Sequence, residues 1–413
     1  MEVPQGYKQT SIGIIPEDWE VKELKDFLEF KNGINSEKDN YGSGFKFINV
    51  MEVIYNNIIT DNLIKGSVLI SESEKELYKV NIGDLLFNRT SETPSEIGLT
   101  SVYAGNDKNV VFGGFVIRGI FKDDSVAFDF KKVGFRSNIV RKQIIKYGQG
   151  AVRANIGQKD LEKVKIPVPP LPEQQKIAEI LSAWDKAIET CQKTIEELRL
   201  RNKGLAQQLL SGKISNKNEE DQLKDYHIIG KYVKEVSKRN TALQEKRILS
   251  VTNSRGFINQ SEQFGRELAS ADLSNYKIVK KGQFAYNPSR VNVGSLDMLR
   301  TFDAGVLSPM YVVFEVTSKD LIPEFLYYHL KTYWFIGHIP MFVQGSVRDT
   351  LSFDGFSGMK FYIPTLEEQK KIVTILDAAA SELKHYEEKL NNLKLQKKGL
   401  MQQLLTGKVR VKI

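Results

Sequence analysis

Two segments of the chain repeat their apolar residues in alternating steps of four and three positions. The first series is Ile177, Leu181, Trp184, Ile188, Cys191, Ile195, Leu198, Asn202, Leu205 and Leu209. The second is Ile372, Leu376, Ala379, Leu383, Tyr386, Leu390, Leu393, Lys397, Leu400 and Leu404. A sustained period of about 3.5 residues is typical of a coiled-coil seam. The pattern therefore predicts two long helices, whose seams are most simply satisfied against each other.

The limits of these helices follow from proline and glycine. Pro172 is tolerated in a first helical turn, while Gly212 and Gly407 are natural stops. Rods of this length span on the order of 60 Å. Asn202 and Lys397 occupy the same seam slot, where a polar residue commonly fixes the register. The seams alone do not decide between parallel and antiparallel pairing, and each helix could instead pack only on its own domain.

The two helical segments are copies of each other. Residues 171–214 align with residues 366–409 at a constant offset of 195 without a gap, and residues 149–153 match 344–348 at the same offset. Because chance does not hold one register over such a length, the chain is an internal duplication. Gly204 and Gly399 stand at equivalent positions inside the helices, although each costs about 1 kcal/mol relative to alanine. This predicts a close approach there, by the other helix or by a partner.

The segments outside the helices predict globular domains of α/β (α+β) class. Short β-branched and aromatic runs bounded by glycine, asparagine and serine predict strands. These runs are residues 45–50, 84–87, 110–112, 115–117, 247–251, 283–286 and 310–314. The predicted organisation is a first globular domain (1–168), a first long helix (169–214), a second globular domain (215–363) and a second long helix (364–413). Tyr78-Lys79-Val80, Gly83 and Asn88 of the first domain parallel Tyr276-Lys277-Ile278, Gly282 and Asn287 of the second, with different sequences between them. This suggests two copies of one scaffold whose loops recognise different features.

Composition narrows the function classes. The formal charge is +8, but residues 1–168 carry 23 basic and 23 acidic residues, and residues 215–363 carry 19 and 16. The net charge therefore permits a polyanionic partner, but it does not indicate that either globular domain binds one. The single cysteine and four histidines do not suggest a zinc cluster. We expect a cytoplasmic, metal-free protein without a membrane span.

Catalytic motifs are missing from the sequence. It has no phosphate-binding G-x-x-x-x-G-K-[ST] loop, no G-x-S-x-G elbow and no H-E-x-x-H pair. Asn287-Pro288-Ser289-Arg290 is similar to the Asn-Pro-Pro-aromatic motif of adenine methyltransferases, but it lacks the second proline and the aromatic residue. We interpret it as a turn. A degenerate methyltransferase is thus a weaker alternative, and a protein-binding coiled-coil scaffold is another.

If the polyanionic partner is DNA, its bases would be read by arginine, asparagine, glutamine or hydroxyl side chains on loops. In the first domain the candidates are Asn88, Arg89, Thr90, Ser91, Gln149, Arg153 and Asn155. In the second domain they are Asn253, Ser254, Arg255, Asn287, Ser289, Arg290, Gln344, Ser346 and Arg348. Arg153 and Arg348 recur in both copies, which favours a phosphate or structural contact over a base contact.

Motifs of the whole chain resemble those of type I restriction–modification specificity subunits. They are Ile12 to Val21, Ile166 to Gln174 with its helix and the Gln-Gln-Leu-Leu-Ser-Gly-Lys ending, and Ile363 to Gln369 with its helix and Leu404 to Lys408. Thr365 departs from the family, in which a second proline is common.

The resemblance implies two target-recognition domains, each of which binds half of a bipartite DNA site. The helices, antiparallel in the family, would set the spacer. Two methyltransferase subunits would dock on them and motor-nuclease subunits would complete the complex. S-adenosylmethionine, ATP and Mg would then serve only the partner subunits, and this chain would catalyse nothing.

Overall fold

The computed structural model describes residues 3–150, 153–211, 226–253, 255–264, 272–343 and 350–413. The chain divides into two compact units, here called the first unit (Met1–Cys191 with Lys389–Ile413) and the second unit (Gln192–Glu388). Each unit contains one globular domain and a part of both long helices. This division cuts across the helices, so the domain boundaries given above stay a prediction.

The long helices are Leu171–Leu210 and Leu366–Leu404. The first begins one residue before Pro172, which tolerates a place in the first turn because it lacks only an N–H that has no helical partner there. After the second, Gly407 adopts a φ of +69°, the left-handed conformation in which glycine commonly follows a helix. The stop predicted at Gly212 lies outside the described residues.

The two helices run antiparallel within each unit. In the second unit their cross-links are Arg199 to Glu387 at 2.7 Å, Arg201 to Glu382 at 2.6 Å, and Asn202 Nδ2 to the carbonyl of Ala379 at 2.9 Å. One residue number rises while its partner's falls, which defines the direction. In the first unit, Lys397 forms an ion pair with Asp185. The two polar seam residues, Asn202 and Lys397, therefore both bind the opposite helix.

Every position of the two predicted seams is buried or half-buried. The hydrophobic core of the first unit includes Ile177 and Leu181 from the start of the first helix and Leu404 from the end of the second. The core of the second unit reverses this arrangement, with Ile372 from the start of the second helix and Leu210 from the end of the first. Each globular domain is therefore packed against both helices, which replaces the alternative that each helix packs only on its own domain.

The described part of the first globular domain contains a five-stranded sheet. Its strands, in spatial order, are Leu28–Asn32, Val116–Phe121, Leu85–Asn88, Thr100–Tyr103 and Ile58–Ile59. A three-stranded sheet joins Val110–Phe112, Tyr41–Ile48 and Gly66–Val68. Paired strands are Tyr7–Thr10 with Gly13–Pro16, Glu20–Glu23 with Lys165–Val168, and Thr90–Ser91 with Ala154–Asn155.

Short helices cover these sheets. They are Leu24–Phe27, Val50–Tyr55, Glu72–Tyr78, Phe128–Gly134, Asn138–Tyr147 and Gln158–Glu162, with 3₁₀ turns at Lys38–Asn40 and Pro94–Glu96. The strand predicted over 45–50 instead ends at Ile48, because Asn49 caps the next helix and Glu52 returns a hydrogen bond to the Asn49 N–H at 3.0 Å.

The second globular domain repeats the plan in its described residues. A four-stranded sheet has the order Val233–Glu235, Val312–Val316, Phe284–Tyr286 and Leu296–Met298. Paired strands are Tyr226–Ile228 with Lys360–Tyr362, Leu249–Thr252 with Gly256–Asn259, and Lys277–Lys280 with Ala304–Leu307. The helices are Gln260–Phe264, Pro323–Leu330, Tyr333–His338 and Phe353–Ser357, with 3₁₀ turns at Ile229–Lys231, Val291–Val293 and Ile339–Met341.

Candidate nucleic-acid interface

The seven candidates of the first domain, here called the first polar cluster, lie together in the fold. Strand Thr90–Ser91 pairs with Ala154–Asn155, which brings together loops about sixty residues apart in sequence. Asn155 and Gln149 exchange backbone hydrogen bonds of 2.7 and 2.9 Å, and Thr90 Oγ1 donates to Asn155 Oδ1 at 2.7 Å. Gln149, Arg153 and Asn155 are exposed.

Two members of this cluster are buried and hold the loop together. Asn88 Nδ2 donates to the carbonyl of Glu96 at 3.0 Å, and Asn88 Oδ1 accepts from the N–H of Thr90 at 3.2 Å. Ser91 Oγ donates to Glu96 Oε2 at 2.7 Å. Arg89 is half-buried and donates to the carbonyl of Gly114 at 3.3 Å. DNA contact by these residues stays a prediction, but Asn88 and Ser91 already use their polar groups inside the fold.

Arg153 is an exposed cation beside an exposed carboxylate. Its Nε and Nη2 donate to Glu92 Oε1 at 3.2 and 2.7 Å. A solvated ion pair of this kind contributes little to stability, about 0–1 kcal/mol. A phosphate could therefore replace Glu92 as the partner of this guanidinium at small cost.

The described candidates of the second domain, here called the second polar cluster, are Asn253, Arg255, Asn287, Ser289 and Arg290. Asn253 and Arg255 lie exposed at the tip of the hairpin Leu249–Thr252/Gly256–Asn259. A Cβ built on Gly294 would lie 3.2 Å from the Cβ of Asn253, so the hairpin tip abuts the loop that follows Asn287.

Ser289 and Arg290 are exposed in that loop, while Asn287 is buried. The remaining candidates, Ser254, Gln344, Ser346 and Arg348, lie outside the described residues. The structure thus places the described members of each predicted set in one region of their own domain.

The two clusters share one hydrogen-bonded frame. The N–H groups of Asn88 and Asn287 donate across the adjoining loop to Leu99 and Ser295 at 2.8 and 3.0 Å. Their side-chain oxygens both accept from the N–H two residues later. The next carbonyl, of Arg89 or Pro288, accepts at 3.0 or 3.1 Å from Ile156 or Leu351, which are related by the offset of 195. The duplication therefore extends to the geometry around the candidate residues.

A buried glutamine joins each domain to the start of a long helix. Gln174 accepts from the N–H of Ala127 at 2.8 Å and donates to the carbonyls of Ser125 and Pro169 at 2.9 and 2.8 Å. In the second unit, Gln369 makes the same three bonds, to Ile322, Asp320 and Pro364, at 2.9, 2.8 and 2.8 Å. Sequence reasoning did not assign this role, although the identity of Gln174 and Gln369 was its signal. These contacts fix each domain on its helix.

Glu173 differs from its copy Glu368. It is fully buried and accepts from Trp19 Nε1 at 2.8 Å and from Arg410 at 2.8 and 2.9 Å. Arg410 also donates twice to Asp18. The hydrogen bonds to Glu173 and Asp18 raise the pKa of Arg410, and those from Arg410 lower the pKa of Asp18. In the second unit, Glu368 Oε2 accepts from the N–H and Oγ1 of Thr365 at 3.3 and 2.9 Å, at the start of its own helix. The first unit therefore has an additional ionic attachment for the end of the chain.

No group of three or more His, Cys, Asp and Glu side chains among the described residues could hold a metal ion. None of the helices described has an apolar stretch that is long enough to cross a membrane.

This arrangement defines a class of duplicated proteins, in which two loop-bearing domains are each built onto both members of an antiparallel helix pair. A family model, the type I restriction modification DNA specificity domain, matches the chain twice, over residues 16–200 and 201–395. The chain belongs to this family.

Individual relatives agree with the family match. The chain is 27% identical to the putative type I restriction enzyme MjaX specificity subunit of Methanocaldococcus jannaschii, covering 99% of this chain and 97% of the relative. It is 22% identical to the EcoKI specificity subunit of Escherichia coli, covering 97% and 90%.

Solved structures share the fold. The S subunit of a type I system from M. genitalium matches with a TM-score of 0.52 at 15% identity, over 100% of this chain and 99% of that one. A chain from a structural study of the assembly of the type I R-M system matches with a TM-score of 0.62 at 12% identity, over 96% and 99%. The expected fold, α/β domains with two antiparallel helices, is thereby confirmed.

Proposed function

We propose that this chain is the DNA-specificity subunit of a type I restriction–modification complex. One observation carries the proposal: two domains share a hydrogen-bonded frame but present different loops. The strand that ends at Ile48 is followed by the helix Val50–Tyr55, whereas the second domain has a hairpin, Leu249–Thr252/Gly256–Asn259, at that point. Two domains with the same hydrogen-bonded backbone and different loops are suited to recognise two different half-sites.

In this proposal the paired helices set the spacer between the half-sites. Each helix of about 40 residues is on the order of 60 Å long, which corresponds to at most roughly 17 base pairs at 3.4 Å each. Half-site centres about one duplex turn apart fit within that limit. The cross-links from Asn202 and Lys397 to the opposite helix support a single register, which a molecular ruler requires.

The helices would also dock two methyltransferase subunits. Leu200 and Leu395 are related by the offset of 195, and they are 69% and 67% exposed on the helices. One turn later, Gly204 and Gly399 have no described atom within 4 Å of a Cβ built there. No described contact inside the chain therefore explains the two glycines, and a partner that binds twice would explain their retention.

The chemistry would belong to those partners. We propose that S-adenosylmethionine binds the methyltransferase subunits, that ATP and Mg bind motor-nuclease subunits, and that this chain only reads DNA in the cytoplasm. The family match and the missing catalytic motifs support this division of labour.

Coexpression with the neighbouring methyltransferase subunit, followed by genome-wide methylation mapping, tests the proposal. We expect one bipartite motif with a fixed spacer, and the absence of any such motif would contradict it. A coiled-coil scaffold for proteins is the second candidate, favoured by the balanced charge of residues 1–168. Salt-dependent binding of the complex to a bipartite duplex would decide for DNA reading.

A further inference from the structure

Each domain has an exposed apolar residue at the tip of the same β-turn. The N–H of Val116 donates to the carbonyl of Gly113 at 2.9 Å, and the N–H of Tyr311 donates to that of Ser308 at 3.1 Å. The third residues of these turns are Phe115 and Met310, here called the turn tips. They are related by the offset of 195, and the strands that follow have the same register, with Ile117 opposite Phe87 and Val312 opposite Tyr286.

The turn tips face solvent although the residues after them are buried. Phe115 is 56% exposed and Met310 is 59% exposed, whereas Val116 and Tyr311 belong to the core. A single exposed apolar side chain needs no explanation. The same exposure at equivalent positions of two copies that otherwise diverge does need one, because an apolar side chain is kept where folding gains little from it.

Both turn tips lie directly beside the polar clusters. The N–H of Arg89 donates to the carbonyl of Phe115 at 2.9 Å. In the second domain, Asn287 Nδ2 lies 3.9 Å from Met310 Sδ, within the range of a hydrogen bond to sulfur. Each tip therefore adjoins a residue of the polar cluster in its own domain.

The first turn is also anchored in the sheet behind it. The N–H of Gly113 donates to the carbonyl of Ile48 at 3.0 Å, and the N–H of Gly114 donates to that of Ile34 at 2.7 Å. In the second turn Pro309 fixes the backbone dihedral before the tip. Side chains that unstack DNA need such support, since they act against base stacking.

We infer that Phe115 and Met310 are wedges, each of which inserts at one base step of its half-site and partly unstacks it. Phenylalanine and methionine are among the apolar side chains that proteins insert between base pairs to kink a duplex. The local deformation adds recognition by DNA shape to the polar readout. This inference rests on the proposed function and extends it to residues that the candidate set did not include.

The test uses the complete methyltransferase complex and bipartite duplexes that carry 2-aminopurine at successive positions other than the methylated adenine. We expect binding to raise the fluorescence at one step in each half-site. Phe115→Ala should abolish the signal in one half-site only, and Met310→Ala in the other. Affinity should fall roughly tenfold in each case, as expected when about half of a large apolar side chain loses its burial.

Matched variants complete the design. Phe115→Met and Met310→Phe exchange the two tips and should retain the signal, and Ile82→Ala removes an equally exposed side chain (57%) of the first domain without effect. Unchanged fluorescence and affinity in both alanine variants would overturn the wedges and leave the proposed function standing. Absence of any duplex binding by the wild-type complex would overturn the proposed function and the wedges with it.

Discussion

The two globular domains use the same frame to hold different interiors and loops. Asp84 and Gln283 are equivalent, and their side chains accept from the N–H three residues earlier at 2.7 and 2.8 Å. Asp84 also forms a buried ion pair of 2.7 Å with Arg118, whose equivalent in the second domain is the apolar Val313. The comparison shows that the two domains share hydrogen bonds to the backbone at equivalent positions, whereas their buried charges and loops differ.

The largest expected effect comes from replacing one of the two residues of the Asp84–Arg118 ion pair by its equivalent in the second domain. Arg118→Val removes the ion-pair partner of the buried Asp84, which should lower the free energy of unfolding by about 3–5 kcal/mol. The double variant Asp84→Gln/Arg118→Val copies both residues of the second domain and should recover most of the loss. Urea denaturation of the three proteins measures the difference, and equal losses in the single and double variants would refute the equivalence.

His329 makes the second domain sensitive to acid at a position where the first domain has Gly134. Burial among Phe325, Trp334 and Phe361 lowers the pKa of His329 from 6.5 to about 4. The unfolded chain therefore binds this proton first. Stability is complete above pH 6.5 and falls as the pH drops towards 4, by about 3 kcal/mol in total.

The variant His329→Leu removes this contribution. The difference between its unfolding free energy and that of the wild type should change between pH 6.5 and 4 and be constant above pH 6.5. Denaturation curves at several pH values test this expectation, and parallel pH profiles of the two proteins would disprove it.

Substitution of two arginines distinguishes a DNA contact that both domains share from one that is specific to a single domain. Arg153 recurs in both copies, so Arg153→Ala should weaken binding to all sequences alike and reduce the slope of log affinity against log salt by about 1. Arg255, at the exposed hairpin tip, is specific to the second domain. Arg255→Ala should cost about 1–3 kcal/mol of discrimination at one base pair of one half-site.

Competition binding with single-base variants of the site, repeated at several salt concentrations, measures both effects. Altered base preference in Arg153→Ala, or a uniform loss in Arg255→Ala, would reverse the two assignments.

The smallest expected effect concerns the two helical glycines. Gly204→Ala and Gly399→Ala should each stabilise the fold by about 1 kcal/mol, because a Cβ at either position meets no described atom. The same substitutions should weaken binding of the methyltransferase subunit. Thermal unfolding and a pull-down titration give the two readouts; a gain in stability with unchanged binding would mean that no partner approaches these glycines.

The periodicity of the apolar residues sufficed to predict the two long helices, because sustained alternating steps of four and three residues are typical of coiled-coil helices. It also placed Asn202 and Lys397 where they bind the opposite helix. Antiparallel pairing was not contained in the seam and depends on partners such as Glu387 and Asp185, which are close only in the fold.

The candidate interface was less predictable. Polar residue type placed Asn88 and Asn287 among the base readers, yet their amides hold the loops internally. Conversely, Phe115 and Met310 each begin an apolar run that predicts a strand. Whether the first residue of such a run points into the core or into solvent is decided by the turn before it, which the alternation of apolar residues does not determine.

The measurement that most directly tests the ruler is a methylation map of a shortened variant. Removal of one heptad from each helix, residues 186–192 and 390–396, preserves both seams and shortens the pair by roughly 10 Å. The account predicts the same two half-sites with a spacer about three base pairs shorter. A variant that methylates the same half-sites at the original spacing would contradict it.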